Sequence, residues 1–240
     1  MEEIAVNIAG IKNQIKQTCI KVGRDPSTVR LLVVSKTFPE EAIKTAYEAG
    51  QYMFAESRVQ ELSRKISVLT EQIEWHFIGT LQRNKVKDVI DKVALIHSVD
   101  SLPLASELSK QALKKNLGVN ILLQVNIGGE ETKHGFTSQA VYAKIEELSR
   151  LPGLKIKGLM TIAPYTDNQE EARPVFRQLK DLAEKIRGLG LPGIKMQELS
   201  MGMSGDFRVA IEEGATLVRI GSRVFGTRNY VRGNVVNEGI

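Results

Sequence analysis

"RLLVVSKTFPEEAI", Arg30 to Ile43, is the stretch on which the fold turns. Leu31, Leu32, Val33 and Val34 are an unbroken apolar run, half of it β-branched, which reads as a strand buried on both faces. The run ends on Lys36 and a turn. The PEEAIKTAYEAG that follows carries Ile43, Ala46 and Tyr47 at helical spacings of three and four. A buried strand that delivers an amine at its tip and leads straight into a helix is one unit of a repeating pattern.

The same unit recurs along the chain. Strand candidates lie at 31–36, 52–57, 74–79, 94–101, 120–127, 156–164, 196–202 and 216–221, with amphipathic segments between them. In QAVYAKIEELSRL, for example, Val141, Ile145 and Leu148 repeat the helical spacing. Gly50, Gly118 and Gly214 stand where left-handed helix C-caps are expected. Strand, helix, strand at this period implies parallel strands joined by crossover helices, and eight such units close into a (β/α)8 TIM barrel. An additional amphipathic helix over residues 1–22 precedes it. The expectation is one domain over 1–240, with the barrel spanning 30–230, and no linker or low-complexity segment.

Composition narrows the function classes. The 240 residues are 42% hydrophobic and 25% charged, ordinary for a soluble globular chain. No run reaches the roughly 18–20 apolar residues of a membrane span, and the acidic, then amphipathic, N-terminus is unlike a signal peptide. A cytoplasmic location is expected, and the single Cys19 suits a reducing compartment. His76, His97 and His134 are scattered, so no metal site is expected. The net charge of +5 is spread along the chain, which argues against nucleic-acid binding and for a solvated surface.

In a barrel of this kind, chemistry sits at the C-terminal ends of the strands. Lys36 is at such an end, together with Ser57, Gly79, Ser98, Asn126, Met160, Ser200 and Arg219. A lysine at an apolar mouth is partly desolvated, and its neutral amine is a nucleophile for an aldehyde or ketone. The plainer alternative is that Lys36 reaches solvent and pairs with a carboxylate such as Glu56. The other end of the chain weighs on that choice. In ELSMGMSGDFRVAIEEG, 198–214, Ser204 is placed as N-cap of a helix holding Phe207, Ala210 and Ile211. In VRIGSRVFG, 218–226, Gly221 allows close backbone approach and Ser222 offers a hydroxyl. These are the loops after strands seven and eight, where barrels often bind phosphate. A phosphate-bearing aldehyde held by a lysine and a Gly/Ser cradle describes pyridoxal 5'-phosphate, with Arg219 in reach of its ring nitrogen. An ordinary ion pair is the competing reading of Arg219.

The chain closely resembles the pyridoxal phosphate homeostasis family, whose fold is the alanine racemase N-terminal barrel. The resemblance runs over essentially Met1 to Tyr230. It is carried by VVSKTFP (33–39), WHFIGTLQRNK (75–85), HSVDS (97–101), QVNIGGEETKHGF (124–136), GLMTIAP (158–164), LSMGMSGD (199–206) and VRIGSRVFG (218–226). It implies a Schiff base on Lys36, Arg219 at the pyridine nitrogen, and phosphate binding by Ser200, Gly221 and Ser222 with Ser204 close by. His76 and Ser57 are expected as weaker cofactor contacts, with a hydrogen-bonded core histidine as the competing reading of His76. One departure is visible: the family's usual F-G-E-N is Phe54-Ala55-Glu56-Ser57 here, which touches a hydrogen bond near the cofactor rather than its attachment.

The family is described as a homeostasis factor for vitamin B6, and the residues agree with a carrier. A permanently charged arginine beside the ring nitrogen favours its unprotonated form and weakens the electron sink that racemisation needs. In the related racemases a further β domain supplies a tyrosine base, and a chain ending at Ile240 is expected to lack it. The expectation is a monomeric cofactor-holding protein without catalytic residues, delivering to apo enzymes. The rival is a racemase or lyase using Tyr165 or His134 as second base. Lys133 is either a transient transfer site or a solvated loop residue.

Overall fold

The computed structural model describes residues 2–130 and 134–226. Eight parallel strands close in sequence order into a barrel: β1 (Arg30–Val34), β2 (Met53–Glu56), β3 (Glu74–Phe77), β4 (Leu95–Val99), β5 (Val119–Gln124), β6 (Leu154–Met160), β7 (Ile194–Ser200) and β8 (Leu217–Ile220). Each begins within two residues of its expected start, while β5 and β6 end three and four residues before their expected ends. β1 closes the ring against β8, pairing Leu32 with Arg219 and Val33 with Ile220.

Helices α1 (Glu2–Lys21), α2 (Glu40–Glu48), α3 (Val59–Val68), α4 (Leu102–Lys114), α5 (Ser138–Ser149), α6 (Arg173–Gly188), α7 (Phe207–Glu212) and α8 (Ser222–Phe225) surround the sheet. In α6, Val175, Phe176, Leu179, Leu182, Ala183 and Ile186 are buried at spacings of three and four, so a single apolar stripe faces the strands. The Thr137 hydroxyl caps α5 by accepting from the Ala140 amide at 3.1 Å. Between β3 and β4 the crossover is a 3₁₀ helix, Arg83–Asp88.

Two local expectations are corrected. Gly50 and Gly214 take the left-handed conformation expected of them, but after α4 the role falls to Asn116, φ 52°, two residues before Gly118. Asparagine tolerates that region, so the chain turns earlier than the glycine suggested. Ser204 is not the N-cap of α7: it lies in a turn, and Asp206 precedes the helix. The Asp206 carboxylate accepts from the Met203 amide at 2.6 Å, which closes the turn and delays the helix to Phe207.

Strand parity decides what faces the barrel interior. Leu32, Val34 and Ala55 form one inner cluster, and Leu95, Leu122, Met160 and Leu217 another. Their neighbours Leu31, Val33, Phe54, Trp75, Phe77 and Val218 belong to the larger core between sheet and helices. Trp75 and Phe77 therefore point outward, as their alternation with His76 requires. Ile8, Ile11, Ile15 and Cys19 of α1 lie in that same outer core, so the first helix is packed into the barrel wall. Among the described residues, no helix is long and apolar enough to cross a membrane.

Candidate functional site

The C-terminal rim gathers the expected residues on neighbouring strands. Inward-facing Leu32 and Val34 carry the parity of β1 on to Lys36, which is half-buried just beyond the strand end. Thr37 follows in the left-handed region at φ 69°, a strained conformation for a β-branched residue. Its amide donates to Glu61 Oε1 at 2.7 Å. The buried Lys65 of α3 ties this turn to the sheet: its Nζ donates to the Ser35 carbonyl at 2.8 Å, Glu56 Oε1 at 2.7 Å and Glu61 Oε1 at 2.8 Å. The backbone that carries Lys36 is thus pinned on its outer side.

That cluster answers the question about Glu56. On β2 the inward position is Ala55, so Glu56 points outward and is fully buried against Lys65, with Ser35 Oγ donating to it at 2.7 Å. Burial raises the Glu56 carboxyl, and Lys65 opposes the shift. Among the described residues, Glu56 Oε2 has no hydrogen-bond partner. Lys65 itself escaped the sequence reading. Its signal was a lysine three residues after Leu62 on the apolar face of α3, where an aliphatic residue belongs.

Across the seam from β1, Arg219 projects into the barrel from β8. It is 5% exposed, and donates from Nη1 to Ser200 Oγ at 2.7 Å and from Nη2 to the Thr161 carbonyl at 2.8 Å. Among the described residues it makes no ion pair, so the ion-pair reading of Arg219 is not what the structure contains. Burial lowers its pKa to about 10, with Asp206 opposing, and it remains a cation at neutral pH. Of its five N–H donors, two are engaged by neutral acceptors, which leaves others for a ligand atom with a lone pair.

Gly221, directly after β8, lies against β1: a Cβ there would stand 2.9 Å from the Val34 carbonyl oxygen. Only glycine lets the two strand ends close, and this brings the Ser222 turn beside the strand that carries Lys36. Ser222 Oγ donates to Ser204 Oγ at 3.1 Å, and Arg223 reaches the Ser204 carbonyl at 3.4 Å. Ser204, Gly221 and Ser222 are brought together. Ser200 is not with them: fully buried at the end of β7, its hydroxyl is occupied by Arg219 and His97.

His76 lies in the barrel interior with its ring between His97 and Glu74. Ser57 is half-buried just past β2. At the mouth, a cavity of about 210 Å³ is lined by Ile78, Thr80, Gln124, Asn126, His134 and Ile162. A larger one of about 440 Å³ lies at the opposite, N-terminal face beside α1. Tyr165 is 93% exposed, and its hydroxyl turns to Asp167 at 3.3 Å. Lys133 lies outside the described residues. No group of three His, Cys, Asp or Glu side chains suited to a metal occurs among the described residues.

Residues 6–229 match the family model "Alanine racemase, N-terminal domain". The pyridoxal phosphate homeostasis protein of Aquifex aeolicus is 45% identical over 227 residues, covering 93% of this chain and 97% of its own. The structure of PipY from Synechococcus elongatus with PLP bound superposes with a TM-score of 0.82 at 35% identity, covering 93% of this chain and all of PipY. Alanine racemase from Corynebacterium glutamicum, at 16% identity and a TM-score of 0.73, shares the barrel, and 62% of its length is covered.

Proposed function

The chain belongs to the pyridoxal phosphate homeostasis family, on the barrel of the alanine racemase N-terminal domain, and on that premise we propose that it holds pyridoxal 5'-phosphate covalently on Lys36 and serves its homeostasis and delivery in the cytoplasm. The whole chain acts as one cofactor-binding domain, as a monomer, with apo enzymes as recipients. When bound, the cofactor supplies an aldehyde carbon and an electron-withdrawing pyridine ring.

The observation that carries this reading is Arg219: a buried guanidinium with neutral partners, on the strand that closes against the one bearing Lys36. A ring nitrogen with its lone pair suits the remaining N–H groups. A guanidinium cannot accept a proton, so it holds that nitrogen unprotonated. The Lys36 amine, carried on a pinned turn, is the attachment point. Ser204, Ser222 and the Gly221 backbone are the phosphate cradle. Ser200 serves Arg219 instead, since its hydroxyl is spoken for.

An arginine in this position favours holding the cofactor over turning it over, because carbanion stabilisation wants a protonated ring nitrogen. Tyr165, turned to Asp167 in solvent, is poorly placed as a base, whereas His134 lines the mouth cavity. Two measurements separate carrier from enzyme. The purified protein absorbs in the visible and yields a borohydride-reducible adduct that Lys36→Ala abolishes while melting like the apo wild type; an adduct surviving in Lys36→Ala overturns the attachment. Incubation with single L-amino acids gives no D-isomer or keto acid beyond free cofactor, and sustained turnover that His134→Ala removes makes the protein a racemase or lyase.

A further inference from the structure

We propose that Glu74, on the rim opposite the cofactor site, is a positioning residue for that site, acting through a one-way chain of hydrogen bonds through the barrel interior. The links are Arg219 Nη1 to Ser200 Oγ, 2.7 Å; Ser200 Oγ to His97 Nδ1, 2.8 Å; His97 Nε2 to His76 Nδ1, 2.8 Å; and His76 Nε2 to Glu74 Oε1, 3.0 Å. Ser200, His97, His76 and Arg219 are all at least 95% buried, while Glu74 begins β3 at the N-terminal rim.

The two ends set the direction. Arg219 has donors only, so Ser200 Oγ accepts from it. Glu74, as a carboxylate, has acceptors only, so His76 Nε2 donates to it. The His76 interaction holds that carboxyl below its ordinary range. With one hydrogen on each ring, His76 Nδ1 must accept from His97 Nε2–H, and His97 Nδ1 from the Ser200 hydroxyl. The imidazoles are tilted at 53° with centroids 5.1 Å apart, so their edges meet rather than their faces. Burial pushes the His97 pKa well below its ordinary value and keeps that ring neutral.

The consequence reaches the site. With Glu74 in place, the Ser200 hydrogen is committed to His97 and its lone pair to Arg219. A donor in place of Glu74 would reverse the links from His76 to Ser200, while Arg219 would go on donating: His97 Nδ1–H would face Ser200, whose own O–H would then turn toward the ligand side of Arg219. The far end of the chain is accessible, because Glu74 walls the 440 Å³ cavity together with Lys12, Lys16 and Arg30. The effect on the cofactor rests on the pyridoxal phosphate reading above; the direction of the chain does not.

The test uses the apo protein first. Nitrogen-15 NMR of the wild type is expected to show His97 bare at Nδ1 and protonated at Nε2, with Glu74→Lys moving the hydrogen to Nδ1. His97 protonated at Nδ1 in the wild type, or unchanged in Glu74→Lys, overturns the chain. In the loaded protein, Glu74→Lys and Glu74→Met are expected to shift the visible band and to weaken retention about fivefold, the size of one lost hydrogen bond. The Lys36 adduct is expected to remain in both. Tautomers that move without any spectral or retention change overturn the coupling. A wild type that binds no cofactor instead overturns the functional reading, and the apo result still decides the direction of the chain.

Discussion

Among the described residues Arg219 is a charge held out of water without an ion-paired carboxylate, so it costs stability for as long as no ligand answers it. Arg219→Met is accordingly expected to raise the stability of the apo protein by about 1–2 kcal/mol in chemical denaturation while weakening cofactor binding. Arg219→Glu is expected to let the ring nitrogen hold a proton, read as a shifted visible band; an unmoved band rules out the pyridine-nitrogen contact. His97 gives a pH signature. Its folded pKa lies below the ordinary value of about 6.5, so as pH falls past about 6.5 the unfolded chain takes up a proton that the folded one refuses. Stability is present above that pH and is lost below it, with a slope approaching about 1.4 kcal/mol per pH unit. His97→Gln, which cannot take that proton, is expected to flatten the slope of denaturation midpoints between pH 5 and 6.5.

At the scale of elements, the short link between β1 and α2 carries the chemistry, and α3 holds it in place. Lys65 reaches across from the helix to Ser35, Glu56 and Glu61, and Glu61 in turn accepts from the strained Thr37. Lys65→Met leaves Glu56 buried without its cation and is expected to cost about 3 kcal/mol in denaturant titration. The same variant frees the turn after Lys36, so a loss of cofactor retention beyond the loss of stability is expected when both are measured well below the melting temperature. This device was hard to read from the sequence. A helical pattern shows that Leu62 and Lys65 share a face, but which strand carboxylate lies under that face depends on the order of strands around the ring. The same limit explains Glu56, which sequence neighbourhood assigned to Lys36 and strand parity gives to Lys65.

For the whole molecule, the core that matters is the annulus between sheet and helices, and α1 is part of it. Ile11 of α1 is 3% exposed within the cluster that includes Val33, Val218 and Ala210. Ile11→Ala is expected to cost about 3 kcal/mol and to lower the melting temperature by roughly 6–12 °C for a chain of this size. A single calorimetric transition that shifts as a unit is the expected form. A separate early transition for α1 would show that the helix does not fold with the barrel.

The sequence by itself determined the architecture, because the alternation of buried strand and helical crossover is a local periodicity that recurs around the ring. It also placed Lys36, Arg219, Gly221 and Ser222 at strand ends, since position within a strand follows from where its apolar run stops. Only the tertiary structure decided which polar groups meet. Ser200 belongs with Arg219 rather than with Ser204 and Ser222, and His76 and His97 stand ring to ring. The physical reason is that a buried polar group must find its partner in three dimensions, across strands separated by up to 103 residues in the case of His97 and Ser200, and no local pattern records that pairing.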